Sequence, residues 1–198
     1  DVGSSYFLSR RPDRIGLYLA LSGARIGAGD TLATGLVTHV VPQAGFDAVI
    51  EALAKGKSVT AAIRPHVKKT APGSLMDHRR RIATIFSAAT VEGVLERLDR
   101  DGSEFARDAA QTIRAMSPTS VKLVFRQIHE AAQLDLKQCL AMEYRLALRL
   151  LAGHDFREGV RAALVDKDRA PKWQPASLAG VGDVTPFFAP LGTRELFS

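Results

Sequence analysis

The sequence predicts a mainly α-helical chain, and three observations carry that reading. From Thr90 onward, apolar residues recur at the three-and-four spacing of a helix with few breaks. Cap residues stand in front of successive runs: Thr90, Ser103, and Ser117 followed by Pro118. Only one short stretch, Val37 to Val41, is β-branched and bounded by breakers, Gly35 and Pro42, so a strand or extended segment is predicted there alone.

Taken in order, residues 1–9 read as a loop entering the apolar Tyr6-Phe7-Leu8. Pro12 suits a first helical turn, Ile15, Leu17, Leu19 and Leu21 make a mostly buried helix, and Gly23 closes it in a left-handed conformation. A short helix fits 29–35, and 46–55 is amphipathic with Gly56 as its stop. Residues 56–74 hold two prolines and several cations without a clear period and read as a loop or loosely helical connection. His78-Arg79-Arg80-Arg81 opens the apolar-periodic segment of Ile82, Ile85 and Phe86. Helices then follow from Thr90 through Leu98, from Ser103 to Met116, and after Ser117 with Val121, Val124, Phe125, Ile128 and Ala132 on the buried face. A long helix from about Asp135 to Leu151 is apolar on more than half its circumference and needs covering on two sides.

The stretch 155–173, DFREGVRAALVDKDRAPKW, organises the rest. Asp155 with Glu158 three residues on is a helix-start pattern. Phe156, Val160, Ala163 and Leu164 then form one apolar stripe, with Arg157, Arg161 and Lys167 turned largely away, until Pro171 ends the helix. Pro175, Pro186 and Pro190 make the tail an extended wrap.

At 198 residues the chain is long enough for a sizeable core and one domain, or one and a half. No apolar run reaches eighteen residues, so no transmembrane helix is predicted. Cys139 is the single cysteine; it excludes an intrachain disulfide, and its apolar surroundings favour a buried thiol over a nucleophile. The five histidines lack zinc or haem spacing, and no metal is expected. GxGxxG, GxxxxGK[ST] and GxSxG are all absent, which leaves the nucleotide-fold and serine-hydrolase readings without their motifs. A net charge of +6 admits nucleic acid, an acidic membrane surface or a polyanionic small molecule as partner.

Several segments resemble a known family: EGVRAALVDKDRAPKW at 158–173, DVGSSYFLSR at 1–10, LYLALSGARIGAGDTLATGLVTHVV at 17–41, SPTSVK at 117–122 and MEYRL at 142–146. Together they look like the 3-hydroxyisobutyryl-coenzyme A hydrolases, a branch of the crotonase (enoyl-CoA hydratase/isomerase) superfamily, with 57–80 the least similar part. The resemblance implies an α/β crotonase-like fold of which mainly the helical part is present, residues 1–56 ending the core and 57–198 forming a helical C-terminal region with an extended tail. The sheet-rich N-terminal half is expected to be missing from a chain that starts at Asp1 without a methionine, and the chain alone is expected to be inactive.

The resemblance further implies an enzyme hydrolysing a short-chain 3-hydroxyacyl-CoA thioester, above all 3-hydroxyisobutyryl-CoA of valine degradation. Asp1 of the DVG segment is the implied catalytic and substrate-binding acid, working with a glutamate about eight positions upstream. Such chemistry needs donors for the oxyanion and carboxylates held in different protonation states. Phe7 is a candidate pocket wall for the acyl chain, or an ordinary core aromatic. Lys167 matches the lysine that reaches a phosphate of coenzyme A in crotonase relatives, often across a subunit boundary, or is a solvated lysine; Arg161 is a second candidate for that phosphate. Coenzyme A enters as part of the substrate, with no tightly bound cofactor. Glu143, Asp166 and Asp168 read as surface groups or local ion-pair partners. Expected partners are an acyl-CoA, the other half of the same protein and a possible homo-oligomer, without nucleic acid or membrane, in the cytoplasm or, in a eukaryote, the mitochondrial matrix. Two alternatives stay open: an enoyl-CoA hydratase or isomerase, and a basic helical nucleic-acid-binding module using the HRRR segment.

Overall fold

The computed structural model describes residues 2–197 and is mainly helical, with no strand among the described residues. Its chain forms two compact units, one of residues 1–24 and 80–198, the other of residues 25–79. The boundary read near 42–57 falls inside the second unit. In order, the α-helices are α1 (Ser4–Ser9), α2 (Ile15–Ser22), α3 (Ala28–Ala33), α4 (Phe46–Ala54), α5 (Val59–Ile63) and α6 (Arg79–Ile85). They continue with α7 (Val91–Asp101), α8 (Glu104–Ala115), α9 (Pro118–Ala131), α10 (Leu136–Ala152), α11 (His154–Val160) and α12 (Thr185–Phe188).

The second unit is built on α3 to α5 with short 3-10 turns. In place of a strand, Val37–Val41 is irregular chain, tied by the bond from Lys68 N–H to the Val40 carbonyl at 2.8 Å. β-Branching made the segment fit an extended path, but no neighbouring strand supplies a ladder. Buried Asp30 accepts from Gly73 N–H at 2.9 Å, and a Cβ on Gly73 would fall 2.3 Å from that carboxylate, so the carboxylate and the glycine require each other. Where 56–74 reads as loop, Ser58 caps the short α5 by accepting from Ala61 N–H.

In the first unit the predicted caps do what their residue types allow. Thr90 accepts from Gly93 N–H, Ser103 from Ala106 N–H and Ser117 from Ser120 N–H, while Asp135 and Gln138 complete a capping box. Gly23, at φ +61, ends α2 as expected. Ile15, Ile82, Phe86, Val94, Leu98 and Ile113 are fully buried, and Tyr18 meets Phe86 edge to face at 5.4 Å. On α9 the buried residues are Val121, Leu123, Ile128 and Ala131, while Ala132 is exposed. The helix is contacted by α1 and α2, and its Leu123 and Ala131 also join a smaller core with Cys139, Met142, Leu146 and Phe188. Cys139 is wholly buried, and burial pushes its thiol up, as an inert core cysteine requires.

Helices α1 and α2 cross at backbone distance. A Cβ on Gly16 would sit 1.8 Å from the Leu8 carbonyl oxygen, a clash with main chain that no rotamer relieves. Gly16→Ala is therefore expected to destabilise the fold by about 3 kcal/mol, read as a lowered denaturant midpoint; an unchanged midpoint would show that the crossing is loose.

Candidate functional site

Two places in the first unit hold sequence-predicted site residues. Asp1 itself lies outside the described residues, but the turn that follows it is defined. Val2 sits at φ +50 and is 86% exposed, and Gly3 is at φ +87. A β-branched residue with positive φ costs on the order of 1–3 kcal/mol and persists only where its surroundings over-determine it.

The group that over-determines this turn is Glu143, read from sequence as a surface acid and found 3% exposed. Its Oε2 accepts from Gly3 N–H at 2.6 Å, and its Oε1 accepts from Ser5 N–H at 2.9 Å and Ser5 Oγ–H at 2.5 Å. The carboxylate thus caps the free amides at the start of α1 from a helix 140 residues away, where a negative charge is favoured. Its position was legible: 143 falls within the stripe of Cys139, Met142 and Leu146, where a lone acid must find donors. At its other end α1 is held by Arg10, which stacks on Tyr6 at 3.7 Å and donates to the Ala131 and Leu134 carbonyls that close α9. Phe7 is 51% exposed and touches Tyr6 edge to face, so it is not a core aromatic in this chain.

The second place is the stretch after α10. Helix α11 starts at His154 with Gly153 as its N-cap, not Asp155, and passes into a π turn at Arg161–Val165. Asp155 instead accepts from Ser117 Oγ–H at 2.5 Å and Gln174 N–H at 2.8 Å, joining α9, α11 and the tail. Burial would raise its carboxyl, but these donors and the adjacent His154 together hold it below the usual range. Glu158 accepts from Arg161 and from Lys172 N–H at 2.7 Å; the guanidinium and that amide bring it down to about 2. The apolar stripe is largely exposed, Leu164 at 67% and Phe156 at 47%, because periodicity marks a face as apolar without supplying what lies on it.

Arg161 is not an open phosphate ligand. Its five N–H groups go to both oxygens of Glu158, to Asp166 at 2.6 Å, to Asp168 at 2.7 Å and to the Ala170 carbonyl. Those bonds fold the loop so that Lys167, exposed and at φ +58, stands between two acids already committed to Arg161. Arg169, at φ +54, continues the same unusual path. Trp173 closes the loop by donating from Nε1 to the Ala115 carbonyl at 2.9 Å. Beside it, a cavity of about 330 Å³ is lined mainly by Leu21, Met116, Val121, Leu150 and Phe156, with Ser117 and Asp155 at its polar edge. No group of three or more His, Cys, Asp or Glu side chains with the arrangement of a metal site occurs among the described residues. Arg81 of the HRRR segment is paired with Asp101 at 2.9 Å.

This helical assembly recurs in solved crotonase-fold enzymes. A carnitinyl-CoA dehydratase from Mycobacterium thermoresistibile matches with a TM-score of 0.90 and 35% identity over 99% of this chain and 57% of its own. An enoyl-CoA hydratase from Rhodobacter sphaeroides matches with a TM-score of 0.89 and 32% identity, with the same coverage. The structure is thus the helical part of the crotonase fold, as the resemblance implied. A family model for enoyl-CoA hydratase/isomerase matches residues 1–186, and the chain belongs to that family. Among its relatives are mitochondrial 3-hydroxyisobutyryl-CoA hydrolases of Danio rerio, 41% identical, and Homo sapiens, 38% identical, each over 99% of this chain. The chain spans 54% of the length of those relatives.

Trp173 is the sequence's one tryptophan and so reports on the clasp. Glu158 has its folded value, about 2, below the ordinary 4.5, so its contribution is complete above about pH 4.5 and is withdrawn as pH falls toward 2. Trp173 emission is expected to shift red across that window, and in Glu158→Gln to be shifted already at neutral pH. Identical spectra for the two proteins at every pH would show that Glu158 does not hold the tail.

Proposed function

We propose that this chain is the helical part of an acyl-CoA thioester hydrolase acting on 3-hydroxyisobutyryl-CoA or a close 3-hydroxyacyl analogue. The observation that carries the reading is identity of about 40% to proteins of that name across nearly the whole chain. In this reading Asp1 lies beside the thioester and manages a proton or activates water, with its partner glutamate and the oxyanion donors contributed from outside residues 1–198. Lys167 contacts a coenzyme A phosphate. An ammonium on a flexible stem suits a mobile phosphate, and the clasp around Arg161 presents Lys167 at the surface of a fixed loop. Arg161 serves the phosphate indirectly, by shaping that loop. Phe7, exposed on α1 one turn beyond the clamped glycine, is available to an acyl chain as a wall. If the protein is eukaryotic, its compartment is the mitochondrial matrix, a reading supported by the word mitochondrial in the names of the relatives above.

A second reading, an enoyl-CoA hydratase, is favoured by the name of the Rhodobacter sphaeroides structure. The two differ in what leaves. With the full-length protein, the hydrolase reading expects free thiol from 3-hydroxyisobutyryl-CoA, a fall of roughly 100-fold or more in kcat for Asp1→Asn, and a raised KM at little-changed kcat for Lys167→Ala. Hydration of crotonyl-CoA without thiol release would overturn it in favour of the hydratase.

A further inference from the structure

We propose that Glu143 is the positioning residue for Asp1: it fixes the backbone two and four residues downstream of that acid and so sets where the acid stands. The inference rests on the hydrolase reading for its chemistry, but its geometry is independent of it. All three donors on the carboxylate come from Gly3 and Ser5, the side of α1 that adjoins Asp1. The opposite end of α1 has its own anchor in Arg10 on the carbonyls of Ala131 and Leu134. Glu143 is therefore not needed to keep α1 on the molecule. What it adds is the definition of a turn in which Val2 and Gly3 both hold positive φ, an arrangement that unclamped chain would leave for a commoner one.

A carboxylate is the side chain this task requires, because it offers only acceptors. In Glu143→Gln one oxygen becomes an NH₂ group, which faces either Gly3 N–H or Ser5 N–H as donor against donor. A packing role would instead tolerate an isosteric amide. Leu146, one turn along the same helix and in one buried cluster with Phe188, supplies the control: truncating it weakens the core but removes no hydrogen bond from the turn.

The test uses the full-length protein and three variants. Glu143→Gln is expected to lower kcat by about 10- to 100-fold with KM within twofold, the behaviour of a displaced reacting group. Ser5→Ala, which removes one of the three donors, lowers kcat by about threefold. Leu146→Ala loses as much thermal stability as Glu143→Gln or more, yet keeps kcat per folded molecule. Hydrogen exchange of the peptide covering residues 2–9 is faster in Glu143→Gln than in wild type, and faster than in Leu146→Ala, where the Gly3 and Ser5 amides keep their acceptor. Undiminished kcat in the first two variants, or kcat losses that follow thermal stability across all three, would overturn the proposal. A wild type that releases no thiol defeats the hydrolase reading instead; in that case exchange decides, and equal protection of 2–9 in wild type and Glu143→Gln overturns the anchor as well.

Discussion

A carboxylate taken out of water costs several kcal/mol unless donors surround it, and Glu143 meets that condition only while α1 stays in place. The dependence runs both ways. The first amides of α1 have no intrahelical partner, and Gly3 brings no capping side chain, so they rely on an acceptor from elsewhere in the fold. α10 provides it from within its own apolar stripe. This reciprocal need makes the start of the chain a defined turn despite its short helix and its strained φ angles, and it ties residues 2–5 to the middle of the longest helix.

Helix α9 carries that order across the first unit. Its C-terminal carbonyls are held by Arg10 from α1, and its N-cap Ser117 uses its hydroxyl twice, accepting from Ser120 N–H and donating to Asp155. Asp155 in turn holds the amide of Gln174, next to the tryptophan that closes the Lys167 loop. The turn after Asp1 and the loop around Lys167 are therefore both fastened to one rigid helix of fourteen residues.

Sequence reading recovered the elements whose signals are local. Thr90, Ser103 and Ser117 cap helices within three residues of themselves, and the Asp135 box closes on Gln138, so each was visible without knowledge of the fold. What it missed depends on partners far along the chain. The Asp155 to Glu158 spacing fits a local capping box, yet both acids turn to residues of the tail and of α9, since tertiary donors competed with the local ones and won. The β-branched run at 37–41 has strand composition without a neighbour to pair with. Arg161 is a phosphate candidate only through the family resemblance; its geometry shows that its donors are spent on the chain itself. Glu143 was passed over because an acid on a long helix is ordinarily solvated, although its place within the apolar stripe was the available clue.

The Arg161 clasp also sets how Lys167 is presented at the surface. Two acids flank it, and in a solvated loop they would screen its charge and lower the attraction for a phosphate. Arg161 draws both Asp166 and Asp168 to its own guanidinium, so part of their negative charge is offset within the loop. The same bonds hold Lys167 and Arg169 in left-handed conformations that neither residue prefers, which keeps the ammonium at a fixed place on the surface. Electrostatics and backbone geometry thus act together here as they do around Glu143: in each case one buried or saturated ion holds a stretch of chain with positive φ angles.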